Sequence, residues 1–209
     1  MAITPYFINF FVGILVSFVS SIPLGPVGLA IVQASVEGNL KKAIKIALGS
    51  AFMETIYCLI AVLGFYSIME NSNIAFYIQV ISVPVLIGMG GYNLFHKIPR
   101  SYHFNKRSKN AFLLGILLCL MNPLLIPYWI AISTYLGAQG FLYNSFPFLY
   151  SYVVGVFFGT LSLMAFLGYL TYKSLIQINY TIRVAITRII GFVFLGFAIY
   201  TALKVFNFI

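Results

Sequence analysis

The chain has 209 residues, of which 62% are hydrophobic and 7% charged, with a mean hydropathy of +1.02. Soluble domains carry about 25% charged residues, and a chain of this length has no interior large enough to hide so much apolar surface, so the composition excludes a soluble protein and points to a polytopic membrane protein. The net charge of +9 would suit a nucleic-acid partner, but the basic residues gather in short loops between apolar runs, which is the pattern of a membrane protein.

Six apolar segments are long enough to cross a bilayer, which takes about 20 residues each. In chain order they are 5–36, 42–68, 74–95, 111–138, 147–172 and 184–206. No basic n-region precedes Phe7 and no A-x-A site follows, so the first segment is expected to stay rather than to leave as a signal peptide. The connections at 37–41, 69–73, 96–110, 139–146 and 173–183 are short. Nothing resembles a linker, so one transmembrane domain over 1–209 is expected. Lys41, Lys42 and Lys45 follow the first segment. Lys97, Arg100, Lys106, Arg107 and Lys109 follow the third, and Lys173, Arg183 and Arg188 the fifth. Only Lys204 lies elsewhere. The positive-inside rule then makes loops 37–41, 96–110 and 173–183 cytoplasmic and puts both termini outside.

The two halves, about 1–97 and 110–209, resemble each other. FVGIL at 11–15 compares with LLGIL at 113–117, and LGSAFMET at 48–55 with VGVFFGTL at 154–161. LIGMGGYNLF at 86–95 compares with FLGFAIYTAL at 194–203, which aligns Gly88 with Gly196. Three segments per half reverse direction, so the expected fold is all-α, with six transmembrane helices forming two inverted three-helix repeats.

The first segment contains SIPLGPVGLA at 21–30, with Pro23, Gly25, Pro26 and Gly28 in six positions. Proline inside a helix costs about 3 kcal/mol. Non-helical backbone at bilayer depth is tolerated only against protein or water. A break at 23–26 therefore predicts a new helix start near Pro26, where proline's missing N–H costs nothing. The following amides, Val27 to Ala30, would be free for an anion such as a carboxylate. The plainer alternative is a packing kink with small residues at a helix contact. MNPLLIPYWI at 121–130 places Asn122, Pro123 and Pro127 at the matching point of the second half. Paired interruptions of this kind mark a midplane binding site. Asn122 could bond backbone freed by Pro123 or donate to a ligand.

Glu54 lies near the centre of the second segment, roughly 20 Å of helix from Lys41. A charge at that depth costs about 2.5–3.5 kcal/mol. It could hold a substrate ammonium or a coupling proton, or simply bond a neighbouring helix. Thr160 occupies its equivalent place in the fifth segment, as a second polar contact or an intrahelical back-bonder. Gln33, Gln79 and Asn93 read as interhelical glue. His96 and His103 have no partner at ligand spacing, so no metal site is expected. No P-loop or nucleophile elbow is present, which disfavours ATP-driven transport and enzymatic chemistry, and no cofactor is expected.

Pro23-Leu-Gly-Pro26, the G-x-x-x-x-E of 49–54, and Asn122-Pro123, together with the length and six segments, resemble the lysine-exporter (LysE-type) translocator family. The resemblance implies a bacterial inner-membrane exporter of amino acids and related small molecules, driven by an ion gradient. The family's first motif usually reads P-G-P, its second segment often carries Asp, and its N-P is often followed by a basic residue. Here Leu24-Gly25-Pro26, Glu54 and Leu124 stand at those places.

The expected function is export of a small zwitterion, such as an amino acid, coupled to protons or sodium. The half-helix start at Pro26 and Glu54 would hold the two charges, and Asn122 with Pro123 and Pro127 would form the opposing wall. Small-molecule cargo and lipid are the expected partners, nucleic acid is not, and a homo-oligomer is left open. Two other classes are compatible with six apolar segments. A metal-cation transporter would have one intramembrane carboxylate and no thiolate or His cluster. A thiol–disulfide electron carrier would need Cys58 and Cys119 apposed.

Overall fold

The computed structural model describes residues 3–22, 25–69, 72–96, 110–122, 125–143, 145–173 and 180–205. Every element among them is helical: α1 (Thr4–Ser20), α2 (Pro26–Val36), α3 (Leu40–Met69), α4 (Ser72–Phe95), α5 (Ala111–Leu120), α6 (Leu125–Ala138), α7 (Phe146–Tyr172) and α8 (Tyr180–Val205). The first and fourth apolar segments are thus each two helices, α1 with α2 and α5 with α6. Pro84 sits inside α4, and the helix runs through it.

Among the described residues, two helices are by themselves long and apolar enough to cross a membrane, Leu40–Gly64 within α3 and Phe146–Tyr172. The others are shorter apolar runs, two of the expected crossings being divided by their breaks. The loop expected at 173–183 is shorter than its charges implied, because α8 starts at Tyr180.

Local chemistry fixes the helix ends. Asn110 caps α5, accepting from the amides of Phe112 and Leu113, and Asn39 accepts from Lys42 at the start of α3. Side-chain acceptors at this position replace the turn of helix that first-turn amides lack. The ends of α2 and α6 match. Gly38 and Gly140 take φ of 78° and 75°, which only glycine adopts freely. In each case the next amide reaches back to the last turn, Asn39 to the Ala34 carbonyl and Phe141 to that of Leu136. This is the Schellman ending.

The packing is built from small residues inside and large apolar residues outside. α1 lies along α7, α3 along both α5 and α7, and α4 along α8, while α2 sits against α3 and α7 and α6 against α3 and α4. A Cβ on Gly13 would strike the Tyr152 carbonyl, and one on Gly155 the Phe10 carbonyl, so α1 and α7 touch backbone to backbone. Gly49 against Phe112 and Gly115 against Ile46 bring α3 and α5 equally close. Lipid tails are as apolar as leucine, so close packing of this kind, not hydrophobic burial, holds such helices together. The outer surface carries Phe7, Phe11, Leu15, Phe158 and Phe166, all more than half exposed. A continuous apolar exterior of this kind fits acyl chains rather than water.

The third and sixth segments meet through one pair of glycines. Gly88 and Gly196 both face open space. The close approach is made by Gly90 and Gly191, each within contact of the other's carbonyl and each covered by a leucine, Leu195 and Leu94 respectively.

Candidate functional site

Glu54 is positioned by α3, about nine residues in from Lys45, and its residue surface is 7% exposed. The Thr160 hydroxyl on α7 donates to Glu54 Oε2 at 2.7 Å. The two residues matched by internal similarity therefore meet at the centre of the α3–α7 contact. Thr160 is completely buried and spends its hydroxyl on the acid instead of its own helix. One charge-assisted hydrogen bond offsets about 1.5–3 kcal/mol, comparable with the cost of placing the acid at that depth. Among the described residues the hydrogen bond from Thr160 is the side-chain contact that faces the acid.

The first break lies beside this pair. Gly25 is the N-cap of α2, in extended backbone, and Pro26 is the first helical residue. The Leu29 amide already donates to the Gly25 carbonyl at 3.1 Å. Ordinary helix pairing thus begins sooner than the sequence implied, and the amides without an intrahelical partner narrow from Val27–Ala30 to Val27 and Gly28. Depth follows from the register. Gly168 of α7 touches Ile31 of α2. Thr160 lies two turns away, roughly 12 Å, and Pro26 five residues away, roughly 7.5 Å. The helix start is therefore about one turn from the level of Thr160 and Glu54. Gly28 is buried, and Pro23 lies outside the described residues.

The second break reaches the acid from the other half. α6 starts at Leu125, whose amide donates to the Asn122 carbonyl at 3.4 Å. Pro127 therefore falls within the first turn of α6, where a missing N–H is free of cost. It does not belong to the interruption itself, to which the sequence reading assigned it. Pro123 lies outside the described residues, and Asn122 is half-buried. From α6 the Tyr128 hydroxyl donates to the Val16 carbonyl of α1 at 3.4 Å. Its ring stands edge-on to Trp129 at 5.2 Å. Tyr128, Trp129, Tyr152, Cys58 and Val156 share one buried cluster, on the side of Glu54 away from the lysines.

Several other side chains do different work from that expected. Gln33 donates to Glu37, the residue that caps the end of its own helix, and Asn93 to the Met89 carbonyl within α4. Neither acts as interhelical glue through these bonds, because a flexible amide finds the turn above it first. Gln79's side chain lies outside the described residues. Asn9, not among the amides expected to bridge, does join distant parts of the chain. Completely buried on α1, it donates to the Tyr143 carbonyl at 3.2 Å and accepts from the Tyr143 amide at 3.0 Å. Its signal was a lone asparagine in an otherwise apolar run. Cys58 and Cys119 are free and buried, with Cys119 against the Ser50 carbonyl. Among the described residues no three His, Cys, Asp or Glu side chains gather to hold a metal.

A family model described as LysE type translocator matches residues 18–205. The chain belongs to the LysE-type translocator family. It is accordingly a membrane protein and a transporter of small molecules, and its family is one of translocators, not enzymes. No curated protein and no solved structure matches it.

Proposed function

We propose that this LysE-type protein exports a small zwitterionic metabolite, best read as an amino acid, across the bacterial inner membrane by alternating access coupled to a proton or sodium gradient. The observation that carries this reading is the Glu54–Thr160 pair, buried about one turn from the start of α2 and beside the start of α6. An acid there attracts an ammonium or a coupling proton. The free amides of Val27 and Gly28, behind Gly25 and Pro26, suit the carboxylate. Asn122 and Pro127 stand on the opposite side in this reading; Pro23 and Pro123, which it also includes, lie outside the described residues.

In this reading α1 with α2, α3, α4, α5 with α6, α7 and α8 make six crossings, with the basic loops inside and both termini outside. The inverted repeat of halves 1–97 and 110–209 is supported by paired details. The Gly13 and Gly155 contacts of α1 with α7 have their counterparts at Gly115 and Gly49. The two Schellman endings at Gly38 and Gly140 also correspond. Rocking of the halves about Glu54 would expose it to each side in turn.

The test is uptake of labelled amino acids into everted membrane vesicles. Wild-type vesicles accumulate a cargo amino acid when energised. Glu54→Gln keeps the shape and the hydrogen bond but removes the charge, and is expected to reduce accumulation at least tenfold. Undiminished gradient-driven uptake by the variant would remove Glu54 from the mechanism.

A further inference from the structure

Three polar side-chain atoms in the cluster beyond Glu54 are sealed from solvent and have no hydrogen-bond partner: Trp129 Nε1, Ser133 Oγ and Tyr152 Oη. Their residues are 0%, 1% and 0% exposed. Each such atom costs about 1–3 kcal/mol when left unpaired, and buried polar groups are otherwise almost always satisfied. The three are not scattered. Trp129 and Ser133 are one turn apart on α6, hence on one face. The Tyr152 hydroxyl reaches from α7 to the neighbourhood of Ser133 and Cys58 without achieving hydrogen-bond geometry with either. Cys58 stands one turn along α3 from Glu54, so the group begins about 6 Å from the acid. The other unpaired buried side-chain atoms, Ser21 Oγ, Gln33 Oε1 and Ser35 Oγ, lie on or just before α2.

Resting on the exporter reading above, we infer that Trp129, Ser133 and Tyr152 form a second subsite that receives the side chain of the transported amino acid, and that this side chain is uncharged and hydrogen-bonding, a hydroxyl or a carboxamide. The chemistry of the three groups sets the class. Indole N–H donates only, while the two hydroxyls donate or accept, so a group offering both functions satisfies all three. An anionic side chain would be buried beside Glu54 with no cation among the described residues to compensate it, which is costly. A cationic one finds no acceptor at the indole. An aliphatic one leaves all three atoms unpaired, and sites built to hydrogen-bond a substrate group reject analogues that lack it.

The experiment uses purified protein in proteoliposomes loaded with one labelled amino acid at a time: glutamine, serine, glutamate, leucine or lysine. Wild type is expected to release glutamine or serine at least tenfold faster than the other three. Tyr152→Phe and Ser133→Ala are each expected to lower the glutamine-to-leucine ratio several-fold. Melting of both variants in detergent should occur no lower than wild type, since each deletes an unpaired buried polar atom. A wild type that prefers leucine, lysine or glutamate would overturn the inference while leaving amino-acid export standing. Ratios unchanged in both variants would do the same and would mean that the three groups hold only water. Release of none of the five would overturn the export reading and the subsite with it.

Discussion

Asn9 holds the loop before α7 through both functions of one amide, giving and accepting a hydrogen bond at the backbone of Tyr143. Replacing it with leucine preserves the volume and strands the partly buried N–H and C=O of Tyr143. Each stranded group costs about 1–3 kcal/mol, so Asn9→Leu should melt several degrees below wild type in detergent. An unchanged midpoint would show that water satisfies Tyr143. At the same scale Glu54 and Thr160 form a matched pair, with a hydroxyl that turns from its own helix to serve an acid across the contact. Thr55, Thr134 and Thr171 show the ordinary habit, each donating to the carbonyl four residues back. The exception at Thr160 is explained by the energetic demand of the buried carboxyl.

Among elements, backbone contact decides the packing. α3 meets α5 through Gly49 and Gly115, where any side chain would overlap a carbonyl. Gly49→Ala therefore forces the helices apart, and overpacking of this kind costs about 1–3 kcal/mol. Gly88→Ala is the control, since its Cβ would meet nothing within 4 Å and alanine favours the helix by up to about 1 kcal/mol. Thermal melting of the two variants should separate them, with Gly49→Ala lower and Gly88→Ala level or higher. Equal midpoints would deny the close α3–α5 approach. The breaks belong to this scale too. Proline is absorbed in mid-helix at Pro84 and in a first turn at Pro26 and Pro127.

For the molecule as a whole, the proposed six crossings make a labelling prediction. Lys41→Cys and Lys173→Cys should react with a membrane-impermeant maleimide only in everted vesicles, and Ile3→Cys and Phe141→Cys only in intact cells. The native thiols are buried and should stay silent. Reaction of position 3 and position 41 from one side would break the arrangement of α1 and α2 as a single interrupted crossing.

Much of this was legible in the amino-acid order. Membrane class follows from composition, helix order from the apolar runs, and the restart at Pro26 from local backbone chemistry. Glu54 was conspicuous because a charge amid apolar residues needs a reason. What the order could not convey was rotation and register. These helices are apolar on every side, so no hydrophobic face says which residue points inward. Tertiary contact alone brought Thr160 to Glu54 and Asn9 to Tyr143. It also brought Gly90 to Gly191 and gathered Trp129, Ser133 and Tyr152. Each of these depends on how one helix is turned against another, and in lipid that is settled by close packing and hydrogen bonds between helices.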